Sequence, residues 1–222
     1  MNKTKSTPTK QDKKSNLKPL IFIIILVIAA AITTAIIVIN SDPAEAPGHN
    51  DVIDDSDVDP DYATYIATDW SDWGAVPYKS SEYGFTVNFP GSPIPEHQNL
   101  DVDDIIVPYS TYSIENNNKA YVAAVSSYPK DKVDIMAKPR DVLEGSVNGS
   151  AQNSGSRIKS FDNDREFLGN PAAFAVLENT SGVQTATMRC LYFLKNNNLY
   201  MLMTINVDQA EFYYFSNSFK FS

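Results

Sequence analysis

Residues 20–39, LIFIIILVIAAAITTAIIVI, run for twenty positions without a charge. A helix rising about 1.5 Å per residue covers the roughly 30 Å hydrocarbon core of a bilayer in that length. The sequence therefore predicts a transmembrane helix over 20–39. Six lysines precede the run, and residues 40–73 contain no Lys or Arg. The positive-inside bias then predicts a cytoplasmic basic tail over 1–19, with the rest of the chain extracytoplasmic on a single-pass anchor. A cleaved signal peptide is the alternative, since Ala44-Glu45-Ala46 has the small-x-small form of a cleavage site. The apolar run exceeds the usual signal core of about 7–15 residues, and Pro47 would follow the cut, so a retained anchor is the reading taken.

The net charge of −9 is unevenly divided: +5 over 1–19, −10 over 40–73 and −4 over 74–222. An acidic outer part lacks the clustered Lys and Arg that displace counterions from phosphates, which argues against a nucleic-acid partner. Cys190 is the single cysteine, so no intramolecular disulfide forms and stability must come from a packed core. The length of 74–222 suits one globular domain.

Residues 40–61 combine three prolines with clustered aspartates and bury too little apolar surface to offset ordering entropy, so they read as an extended acidic linker. Tyr62, Tyr65, Ile66, Trp70 and Trp73 then recur at helical spacing and predict an aromatic segment that docks on the domain. Linker and docking segment together occupy 40–73. From 81 onward the period changes to two. Phe85, Val87 and Phe89 alternate with Thr86 and Asn88 before Pro90-Gly91, which predicts a half-buried strand. Residues 105–114, 120–127, 157–168, 172–178, 185–194 and 199–207 are further strand candidates, rich in β-branched and aromatic side chains. The triplets Asn116-Asn117-Asn118 and Asn196-Asn197-Asn198 separate such runs. Asparagine tolerates the positive φ of tight turns, so both are read as hairpin loops. Helices are predicted over 139–152, with proline in the first turn followed by Asp141 and Glu144, and over 208–218, with Asp208 as cap and Ala210, Tyr213 and Tyr214 on one side. Strands in hairpin order with two inserted helices indicate an α+β fold, an antiparallel sheet flanked by helices.

Three stretches resemble a known family. Gly84 to Pro93 reads GFTVNFPGSP, Gly169-Asn170-Pro171 forms a turn leading into a strand, and Phe215-Ser216-Asn217-Ser218-Phe219 closes the chain after the strand pair over 192–205. The domain from about 76 to 222 is similar in these motifs to the PsbP-like fold family, which includes small bacterial exported or membrane-tethered proteins. The resemblance implies an α/β/α sandwich around an antiparallel sheet. It implies no catalytic residue, cofactor or metal ligand in this chain.

Asp55, Asp57, Asp59 and Asp61 alternate as calcium-loop ligands do. The template fails, because Pro60 stands where the sharp turn needs glycine and Ile66 where a bidentate glutamate belongs, so these are read as solvated linker charge. His49 lies in the linker, and His97, with Glu96 beside it, is expected in a surface loop after the first strand. Two histidines supply neither a zinc ligand set nor a positioned triad. Cys190, within TATMRCLYFL, is expected to be a buried, inert thiol. No G-x-S-x-G elbow, phosphate loop, H-E-x-x-H pair or dinucleotide fingerprint occurs. Asn148-Gly149-Ser150 and Asn179-Thr180-Ser181 match the N-glycosylation pattern; in a bacterium they are expected to be turn residues. The sequence thus predicts a membrane-anchored, extracytoplasmic, non-catalytic binding or assembly module, contacting the membrane through 20–39 and a protein or envelope partner through its domain. Two alternatives stay open. One is a hydrolase of envelope polymers with converging carboxylates, and the other is a small-ligand sensor with a concave apolar pocket.

Overall fold

The computed structural model describes residues 74–102, 104–181 and 184–222. The apolar run, the linker, the aromatic segment, His49 and the four alternating aspartates lie outside the described residues. Among the described residues no helix is long and apolar enough to cross a membrane.

The chain order is β1 (Val76–Ser80), β2 (Phe85–Phe89), β3 (Ile94–Val102), β4 (Ile105–Asn116), β5 (Lys119–Ser127), α1 (Pro139–Ser154), β6 (Arg157–Phe167), β7 (Asn170–Ser181), β8 (Gln184–Lys195), β9 (Asn198–Ile205), α2 (Gln209–Asn217) and β10 (Lys220–Phe221). Seven strands form one antiparallel sheet in the order β3-β4-β5-β9-β8-β7-β6, and β1-β2-β10 form a second, three-stranded sheet. Two meanders, β3-β4-β5 and β6-β7-β8-β9, are thus sewn together down the middle by β5 and β9.

Turn chemistry sets this register. Asn116 pairs with Lys119 and Lys195 with Asn198. The two residues inside each loop, Asn117-Asn118 and Asn196-Asn197, all have positive φ. That is the two-residue hairpin turn whose twist matches that of the strands, so both asparagine triplets turn as expected. Leu168-Gly169 makes the same turn between β6 and β7, with Leu168 at φ 52°.

One face of the large sheet presents Val122, Ala175, Cys190, Tyr192, Met201 and neighbours to α1, through Val142, Leu143, Val147 and Ala151, and to the 128–138 connection, through Tyr128, Val133 and Ile135. Gly145 and Gly149 are buried in α1. The Ser146 and Ser150 hydroxyls satisfy themselves on the carbonyls of Val142 and Ser146 at 2.7 Å each, so a helix with polar small residues seats closely without orphan groups. Asn197 staples the connection to the sheet. Its side chain donates to the Tyr128 and Val133 carbonyls at 2.8 Å each and accepts from the Ile135 N–H at 3.0 Å.

The opposite face carries Tyr112, Tyr121, Phe174, Phe193 and Tyr200 against Phe85, Val87 and Phe89 of β2, Phe212 and Phe215 of α2, and Phe219. Phe193 and Tyr200 stack at 5.0 Å, and Phe85 lies against Phe219 at 5.0 Å. Here the sequence expectation is corrected. Strand takes 58% of the described residues and helix 17%, and a second sheet shares this face with α2, so the fold is β-rich and not an α/β/α sandwich. The reason is the pair β1 and β10, which join β2 on either side and make a sheet out of an isolated predicted strand. α2 also turns differently from its expected face. Asp208 caps it by accepting from Glu211 N–H at 2.8 Å, but Phe212 and Phe215 are buried with Tyr213, while Ala210 and Tyr214 are half-buried.

Candidate binding cleft at the β3 edge

β1 and β2 are joined by a turn over Ser81–Gly84, with Gly84 at φ 61°. The Ser222 N–H donates to the Gly84 carbonyl at 2.7 Å, which fixes the turn from the chain's C-terminal end. The turn reaches across to the β3–β4 hairpin, where the Tyr83 hydroxyl meets Ser110 Oγ at 3.0 Å. His97 lies opposite Ser110 in the ladder, with Nδ1 at 2.8 Å from Ser110 Oγ and 3.9 Å from the Glu82 carboxylate. Its ring stands nearly perpendicular to that of Tyr112, at 6.2 Å. Glu82, Tyr83, His97, Gln98, Asn99 and Tyr109 are the principal walls of an open cleft of about 340 Å³. Burial is the main influence pushing the Tyr83 and Tyr109 phenols above their ordinary range, assisted by the Glu82 and Glu96 carboxylates respectively. Both therefore remain protonated donors at neutral pH.

Glu82, His97 and Ser110 do not have the geometry of a catalytic triad. Ser110 is only 2% exposed, and its hydroxyl is engaged by Tyr83 and His97. A triad also requires the acid and the serine on opposite ring nitrogens, whereas Glu82 and Ser110 approach the same Nδ1. The lining holds one carboxylate, Glu82, where glycoside chemistry uses a facing pair.

His97 is surface-exposed as expected, but it lies in strand β3 and not in a loop. Neighbouring strand residues point to opposite faces, so its sequence neighbour Glu96 is not its partner and Glu82, from the other sheet, is. Glu82, Tyr83, Gln98, Asn99 and Ser110 went unread in the sequence. A signal was present in Tyr83-Gly84, a turn-forming pair directly before a strand. Cys190 is fully buried in β8, and burial pushes its thiol up to about 12, which makes it unreactive. Asn148 is exposed on α1 and Asn179 lies within β7, donating to the Ser154 carbonyl; neither is the turn residue expected. Among the described residues, no three His, Cys, Asp or Glu side chains converge as metal ligands.

No protein-family model matches the chain. No curated protein is similar to it in sequence. Among solved structures it is similar to a protein of unknown function, PA94 from Pseudomonas aeruginosa, at 9% identity over 59% of this chain and 81% of that one, with a TM-score of 0.30. Agreement at that level carries no argument about fold or activity, and the likeness to the PsbP-like family rests on the sequence motifs alone.

Proposed function

We propose that this chain is a membrane-anchored, extracytoplasmic, non-catalytic binding module whose recognition surface is the cleft beside β3. The observation that supports it is the arrangement of exposed His97, Gln98 and Asn99 on an edge strand, next to Glu82 and Tyr83 from the second sheet. These groups offer a mixture of donors and acceptors, with Tyr83 and His97 held by Ser110 and the His97 ring against Tyr112. In this reading the acidic linker over 40–61, with its like-charge repulsion, serves to hold the domain clear of the lipid surface. The apolar run 20–39 supplies the anchor and the lysines of 1–19 its orientation.

Two measurements test this reading. The protein is expected in the membrane pellet after a carbonate wash; a soluble mature form beginning at Pro47 would overturn the anchor. A photo-crosslinking amino acid at Gln98 is expected to form adducts in intact cells that the same group at exposed Glu166, on β6, does not form. Equal labelling from both positions, or none from either, overturns the cleft as the recognition surface.

A further inference from the structure

We infer that the cleft takes an extended peptide bearing Lys or Arg, which adds to the large sheet as an eighth strand along β3. This inference rests on the binding-module reading and names its ligand class.

Three observations converge on it. First, β3 stands at the end of the seven-strand order and runs nine residues in unbroken register against β4, from Ile94 opposite Ser113 to Val102 opposite Ile105. Second, its backbone phase is defined by proline. A proline cannot sit in a hydrogen-bonded ladder pair without forfeiting a bond. Pro95 faces Tyr112 and Pro108 faces Asn99. These pairs lie four residues apart along the ladder, in the same phase, and both must be the non-hydrogen-bonded kind. His97 and Asp101 share that phase, so the N–H and carbonyl groups of His97, Asn99 and Asp101 point away from β4, toward the edge where no strand of the described residues pairs. They form a row that an extended segment can pair with, about 4.8 Å away.

Third, the edge has one sign of charge. Residues 80–118 contain no Lys or Arg, while Glu96 and Asp101 stand on β3, Asp104 in the turn that follows it and Glu82 in the β1–β2 turn beside it. A second copy of the chain pairing β3 to β3 would bring these carboxylates together, and like charges placed across a ladder are destabilising. A cationic strand gains where a second copy loses. Its side chains alternate, so every second one enters the cleft on the His97 side, within reach of Glu82 and the Tyr83 hydroxyl.

The probe is a nine-residue peptide alternating lysine with valine or threonine, titrated against the full-length chain in a non-ionic detergent. Two further peptides accompany it: one with glutamate for lysine, and one with the lysine sequence N-methylated at alternate amides so that one edge cannot pair. The lysine peptide is expected to bind, and methylation is expected to weaken it about tenfold or more, as loss of several backbone bonds requires. Asn99→Pro removes an outward N–H without touching the β4 ladder and is expected to weaken binding similarly, with unchanged thermal unfolding. Should that variant unfold, the methylated peptide still decides the question on the unaltered protein. Equal affinity for the methylated peptide overturns strand addition, and equal or tighter binding of the glutamate peptide overturns the charge class. If no peptide binds while the Gln98 photo-adduct forms, the ligand class is wrong and the binding-module reading survives. If the Gln98 position captures nothing in cells but the lysine peptide binds as described, strand addition holds and the proposed cellular role does not.

Discussion

The two edges of the large sheet are built differently. At β6 the register against β7 shifts twice, between Ile158 and Ser160 and between Asp162 and Arg165, and such bulges twist a strand away from outside partners. The edge is further tied down by charge. Glu178 receives Arg157 at 2.6 Å and Lys159 at 3.6 Å, and Arg165 meets Asp162 at 2.5 Å. Arg140, from the first turn of α1, donates to the carbonyls of Asn163, Arg165 and Ala172 and meets Asp164 at 3.1 Å. β3 has no register shift against β4 and no Lys or Arg in its sequence. Ion pairs brace the β6 edge, while among the described residues no strand pairs with the outer side of β3. Edge strands that stay straight and unmatched are hazards unless something is meant to pair with them.

The largest test of this contrast removes the clamp at the closed edge. Arg140→Ala leaves carbonyls at the β6 bulge without their charged donor and is expected to cost about 2 kcal/mol in chemical denaturation. Gln98→Ala at the open edge is expected to change stability by less than about 0.5 kcal/mol. Equal losses at both sites would erase the distinction. Next in size is the β6–β7 turn, where exposed Leu168 adopts a left-handed conformation that costs an ordinary side chain about 1 kcal/mol. Leu168→Asn creates the Asn-Gly pair that this turn prefers and is expected to raise the unfolding free energy by up to that amount; a loss would mean that Leu168 makes a contact worth more than the strain.

A smaller effect concerns pH. The Arg157 hydrogen bond, aided by Lys159, holds the Glu178 carboxyl below its ordinary range. A carboxylate with a depressed folded-state pKa stabilises the protein fully above its unfolded value near 4.3, and that contribution is lost as pH falls through the folded value. Glu178→Gln is therefore expected to cost about 0.5 kcal/mol at pH 7, given the exposure of Arg157, and nothing once the carboxyl of the parent is protonated. A cost that persists unchanged to pH 2, followed by urea unfolding, would show that packing and not charge closes this edge. The subtlest prediction is dynamic: the amides of His97, Asn99 and Asp101 should exchange with solvent faster than those of Gln98 and Leu100, an alternation that hydrogen exchange resolves residue by residue. Uniform protection along β3 would contradict the assigned ladder phase.

Much of the domain's secondary structure was legible because its signals are local. The asparagine triplets specify positive-φ turns, the alternation in 85–89 specifies β2, and Asp208 and Pro139 mark helix starts whatever lies around them. β1 and β3 escaped for a shared reason. β1 is mostly exposed and β3 carries IPEHQNLDV with both faces partly solvated, so neither shows the apolar period that betrays a half-buried strand. Missing β3 also misplaced His97, and with it the cleft. Its walls come from positions 82–83, 97–99 and 108–110, which only the approach of two sheets brings together.

By itself the amino-acid sequence determined the antiparallel hairpins, the two helices, the burial of Cys190 and the acidic balance of the domain, since each follows from side-chain type and spacing along a few residues. The tertiary structure alone decided that the second face of the large sheet is shared between a smaller sheet and α2, that Glu82 and not Glu96 faces His97, and that one sheet edge is clamped while the other has no paired strand among the described residues. Those outcomes depend on pairings between segments as distant as β2 and β10, and no local pattern encodes which partner a strand will meet.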